Sequence, residues 1–95
     1  MRALFMGVAM WRRLVGSFLA ALRRVGIAAV AWFDEEESRC FAVDTGSGYV
    51  IHVSRDWRAC LSDAEEHVRS AGGGKVLAIP PGAAVQVRVV EGGEG

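Results

Sequence analysis

The chain has 95 residues, 52% of them apolar and 23% charged, with eleven basic against eleven acidic side chains. That length fills one modest core and is too short to divide into two domains, and the composition excludes an intrinsically disordered chain. Zero net charge argues against a nucleic-acid partner but conceals a polarity: residues 1–33 carry five arginines and no acid, whereas residues 34–95 carry all eleven acids against six basic residues.

From Leu4 to Val25 the apolar residues recur at steps of three and four, which is helical period. Trp11, Leu14, Val15, Phe18 and Leu22 fall on one side of that helix and Arg12, Arg13, Arg23 and Arg24 on the other. The spacing predicts a basic amphipathic helix over residues 1–25, with these nine residues as the expected partner-binding set. Such a helix can complete a core, seat on a protein partner or a second copy, or lie on an anionic membrane surface. Its uncharged stretches are nine residues each, short of the roughly 20 that a membrane span needs. Arg23-Arg24 also interrupts what would be a secretory signal, so the expected location is cytoplasmic or within a viral particle.

After Gly26 the period changes. Ile27 to Phe33 reads as a strand, Asp34 to Ser38 as a solvated turn, and Arg39 to Val43 and Tyr49 to Val53 as two more strands around Asp44-Thr45-Gly46-Ser47-Gly48. Ser54 is the expected cap of a helix over residues 55–71, with Trp57, Cys60, Leu61, Ala64, Val68 and Ala71 as its apolar face and Glu65 paired to Arg69. Gly72-Gly73-Gly74 ends it as a linker. Lys75 to Ile79 and Ala84 to Val90 are the last strands, the second alternating Val85, Val87 and Val89 with Gln86 and Arg88 so that one face is wet. Residues 91–95 contain no apolar side chain and read as a flexible tail. The expected fold is α+β: the N-terminal helix, then, over residues 26–90, a small antiparallel or mixed sheet of about five strands (βββαββ) covered on one face by a helix.

The string Phe41-Ala42-Val43-Asp44-Thr45-Gly46-Ser47 resembles the signature of aspartic proteases, whose retroviral-type members dimerise so that each chain contributes one carboxylate to a pair sharing a proton. That resemblance implies a dimeric hydrolase with Asp44 as its catalytic residue. The same string is also sound turn chemistry, in which Asp and Ser bond the local backbone and the glycines turn the corner. Cys40, His52, Cys60 and His67 are separated by 11, 7 and 6 residues, which matches no metal-ligand pattern. The expectation is no metal and no cofactor, with both cysteines buried as small hydrophobes, His52 on the solvent face of its strand opposite Ile51, and His67 on a helix flank. The function expected on these grounds is that of a non-enzymatic binding or assembly protein. It would be an accessory or regulator of a larger bacterial or viral complex, acting through the N-terminal helix and the sheet surface, with a protein partner or a second copy of itself. The alternatives are the Asp44 hydrolase and a peripheral membrane protein using the basic helix.

Overall fold

β-Branched and aromatic residues fill the stretches that become strands, and glycines or short Asp and Ser turns stop them. The computed structural model describes residues 16–93. These run as a helix over residues 16–24 (α1), then β1 (Ile27–Asp34), β2 (Arg39–Asp44), β3 (Val50–Ser54), α2 (Trp57–Ser70), β4 (Gly73–Ile79) and β5 (Gln86–Glu91). The earlier part of the expected helix, with Trp11, Arg12, Arg13, Leu14 and Val15, lies outside the described residues.

The five strands form one mixed sheet in the order β3-β2-β1-β4-β5. Central β1 pairs antiparallel with β2 and parallel with β4, while β2–β3 and β4–β5 are antiparallel. The parallel pair follows from the chain path. After β3 the polypeptide crosses the sheet as α2 before re-entering beside β1, and a helix is the usual crossover between parallel strands.

A shift of register corrects one expectation. Ala42 pairs with His52 but Val43 pairs with Val50, leaving Ile51 as an extra residue in β3. The bulge turns His52 to the α2 side instead of to solvent, and its Nδ1 donates to Asp63 Oδ2 at 2.6 Å. The helix start is also displaced. Asp56, not Ser54, is the cap: its Oδ1 accepts from the Arg58 and Ala59 amides at 3.0 and 3.4 Å, while Ser54 Oγ accepts from the Asp56 amide at 2.8 Å and holds the cap in place. Arg69 pairs with Glu66 and not with Glu65, which instead receives Arg88 from β5.

The triple glycine is more than a linker, because Gly73 and Gly74 open β4 opposite Glu91 and Val90. At Gly73, φ is +97°, and a Cβ there would stand 2.7 Å from the Gly92 nitrogen, so only glycine permits this approach. The Gly93 amide then donates to the Arg69 carbonyl at 3.0 Å, which ties the segment after β5 back to α2.

Between α2 and the sheet the core is built of small side chains. Ala29, Ala31, Ala42 and Ala64 are fully buried, with Val68, Val76 and Val90 packed among them, and Trp57 and Leu61 close its margin. Among the described residues no side chain larger than valine is fully buried. Helix and sheet therefore meet across alanine, which leaves no room for added methyl groups. Ala64→Leu should lower stability by about 1–3 kcal/mol through overpacking, read from urea melts. An unchanged midpoint would show that the alanine layer is not closely packed.

Candidate functional site

Strand residues that do not meet α2 point to the other face of the sheet, and the register lines them up in rows. Val50, Val43, Val30, Leu77 and Val87 are successive cross-strand partners over all five strands. Beside them Val53, Phe41, Trp32 and Ile79 form a second row, in which the Trp32 and Phe41 rings stack with centroids 5.1 Å apart. Both rows are apolar, and Lys75 of β4, the partner of Val89, stands beside them on the same face. Val30 and Val43 near its centre are buried, whereas Val50 and Val53 on β3 and Val87 and Val89 on β5 are exposed.

The alternation in β5 is thus used in the opposite sense from the one its pattern suggests. Arg88 lies across from the core residue Val76 and donates to Glu65 of α2, so the polar residues stand on the helix side. Val87 and Val89 face outward with 55 and 75% of their surface exposed, and Val85, just before β5, is also exposed. As an edge strand, β5 lies at the margin of α2 and meets it through Val90 in the core and through Arg88 on Glu65.

Of the expected partner-binding residues, Phe18, Leu22, Arg23 and Arg24 are described, all on α1. Phe18 and both arginines are exposed, Leu22 is half-buried, and the neighbouring Leu19 is buried. Between α1 and the β2–β3 turn lies an open cleft of about 570 Å³, bordered by Leu19, Arg23, Arg24, Thr45 and Ser47.

Asp44 organises that turn. Its Oδ2 accepts from the Ser47 amide and hydroxyl, both at 2.8 Å, and its Oδ1 accepts from His67 Nε2 of α2 at 3.1 Å. Thr45 donates its hydroxyl to the Ile27 carbonyl at 2.7 Å, and the His67 ring stacks against Tyr49. Burial pushes the Asp44 carboxyl upward, but the Ser47 bonds and the neighbouring His67 outweigh it and hold the group below its ordinary value. Both oxygens are therefore engaged, Oδ2 within the turn and Oδ1 in joining it to α2. The order is Ser47–Asp44–His67, with the carboxylate in the middle, so no imidazole stands ready to take a proton from the hydroxyl. Nor is the turn an open anion cradle, since the Ser47 amide already serves Asp44.

The four residues considered as zinc ligands divide between two places. His67 contacts the Asp44 turn, while Cys40 of β2, His52 of β3 and Cys60 of α2 lie toward the start of α2. Among the described residues no group of three or more His, Cys, Asp or Glu side chains is arranged to hold a metal ion. Both cysteines are fully buried and unpaired. Cys40 Sγ donates to the Ser54 carbonyl at 3.1 Å, and burial, with Cys40 beside it, pushes the Cys60 thiol up to about 12. Patterning did not reveal these partners, because Asp44–His67, His52–Asp63 and Glu65–Arg88 each join positions far apart in the chain.

Two expectations follow from these contacts. Asp44→Ala should cost on the order of 1 kcal/mol through lost turn bonds. Because the Asp44 pKa is depressed on folding, its contribution is present above the ordinary carboxylate range and is lost as pH falls through the folded value. Asp44→Asn should accordingly flatten the acid side of the stability profile, and an acid limb identical to wild type would contradict this assignment. Cys40 and Cys60 should resist alkylation by iodoacetamide at neutral pH until the protein is denatured, because the thiolate is the reactive form and both sulfurs are shielded. Rapid labelling of the native protein would show that α2 opens readily.

No protein-family model matches the chain, and no curated protein or solved structure matches it either.

Proposed function

We propose that this chain is a small non-enzymatic binding and assembly protein, an accessory or regulator of a larger complex, working through the outward sheet face together with α1. One observation carries the reading: Val87 and Val89 of β5 are exposed on the sheet face away from α2, while Arg88 of the same strand is spent on Glu65 of α2. Exposed apolar residues grouped on one face of a strand mark a surface that another molecule covers. Phe18 and Val25 on and after α1, 49 and 63% exposed, extend the apolar character beyond the sheet. The Asp44 carboxylate, with each oxygen already bonded, gives the hydrolase alternative no comparable support.

Attachment to an anionic membrane is a second reading, favoured by Phe18 and Val25 lying close to the exposed Arg23 and Arg24. No described helix is long and apolar enough to cross a membrane.

Affinity capture from the native host should separate these readings. Full-length protein should retain a protein partner or its own copies. A Val53→Glu/Val89→Glu variant with the same circular dichroism should lose them, since a buried unpaired charge at a contact costs several kcal/mol. Equal recovery by both chains would sink the sheet-face reading, and salt-sensitive binding to vesicles of anionic lipid would move it to the membrane.

A further inference from the structure

The two edges of the sheet are not alike. At one edge, β3 is interrupted by the bulge at Ile51, a feature that bends a strand and discourages pairing with another chain. At the other, β5 has six residues in unbroken register with β4, from Gly73 opposite Glu91 to Ala78 opposite Gln86. It contains no proline and no lysine, and its cation, Arg88, is drawn onto the α2 side by Glu65. A regular edge strand bonds its neighbour on one side and presents a row of N–H and C=O groups on the other. Proteins commonly blunt such edges with proline, lysine or a bulge, and β5 has none of these three; its charged residues are Arg88, tied to Glu65, and Glu91 at its end.

We propose that β5 pairs antiparallel with β5 of a second copy of this chain, centred on Val87, so that two five-stranded sheets join into one. This assignment rests on the binding and assembly reading above and names its occupant. Side-chain complementarity selects the register. A two-fold axis perpendicular to the sheet keeps both α2 helices on one side and sets like faces opposite each other; an axis in the sheet plane would set each valine against Gln86 or Arg88. With the perpendicular axis at Arg88, guanidinium faces guanidinium and Val85 faces Glu91. With the axis at Val89, Val87 faces Glu91 and Val85 faces Gly93. With the axis at Val87, that residue meets its own copy, Gln86 meets Arg88, and Val89 meets Val85, the residue just before β5. Apolar cross-strand pairs stabilise a sheet and directly opposed like charges destabilise it, so the Val87 register is the favoured one. It also carries the row Val50, Val43, Val30, Leu77 and Val87 onward into the second copy, making one apolar stripe across the assembly.

The test is the solution mass of the full chain by sedimentation velocity over a concentration series, combined with cysteine crosslinking. Wild-type protein should move from the 10.2 kDa chain mass toward twice that value as concentration rises. Val87→Lys, which sets ammonium against ammonium at the axis, should stay monomeric with unchanged circular dichroism. Val87 is 55% exposed, so the fold should accept the change. Should that variant fail to fold, Val87→Cys decides the matter. Its thiols meet across the axis and should crosslink under mild oxidation, whereas Val89→Cys, offset along the strand by four positions from its copy, should not; native Cys40 and Cys60 are buried and do not interfere. A wild-type chain that stays monomeric at every concentration, a dimer that survives Val87→Lys, or preferential crosslinking of Val89→Cys would each overturn the proposal. A monomer that captures a different protein through the same valines would also overturn it while leaving the binding role standing.

Discussion

Close approach of α2 to the sheet across a layer of alanine is the constraint on which the rest of this molecule depends. Ala64 is fully buried in one cluster with Ala29, Ala31 and Ala42, and the larger side chains lie at its margin or on the other face. Trp57 and Leu61 pack only at the margin of that core, and Trp32, Phe41, Leu77 and Ile79 stand on the other face of the sheet. A core of small residues contributes less apolar burial per residue than one of leucine and phenylalanine. Much of the chain's capacity for apolar burial is thus left on the side away from α2.

The sheet consequently has two apolar faces and one described helix packed against the first. Its centre, around Val30 and Val43, is buried on the second face too, while the margins on β3 and β5 are exposed. β5 shows how the compromise is resolved locally. Val90 still reaches the α2 core, while along the strand Arg88 extends to Glu65 of α2. The alternation places Val87 and Val89 outward, which is why the binding surface is sought there and not in a pocket.

The residues with recognisable chemistry serve the framework. Asp44 joins the β2–β3 turn to α2 through Ser47 and His67, and Thr45 anchors the same turn to β1. His52 joins β3 to α2 through Asp63, and the buried thiols of Cys40 and Cys60 lie in the same layer. The Asp-Thr-Gly-Ser string that resembles a protease signature is used here as a turn whose carboxylate has no free oxygen. The bonding of Asp44, and not the string itself, separates those two roles.

Local chemistry was legible in the amino-acid order. Alternation, helical period, capping residues and glycines are short-range signals, and they gave the succession of three strands, a helix and two strands, the turn at Asp44 and the apolar face of α2. Which way a strand's two faces point is a different matter, since an alternating pattern reads the same with either face inward. One inserted residue at Ile51 reversed His52, and the placement of Arg88 and Val90 toward α2 turned Val87 and Val89 outward. The mixed pairing of β1 with β4, the ion pair of Glu65 with Arg88 and the hydrogen bond of Asp44 with His67 likewise join distant positions. Tertiary structure alone decided these features, because each depends on which elements become neighbours in space and no short window of sequence contains both partners.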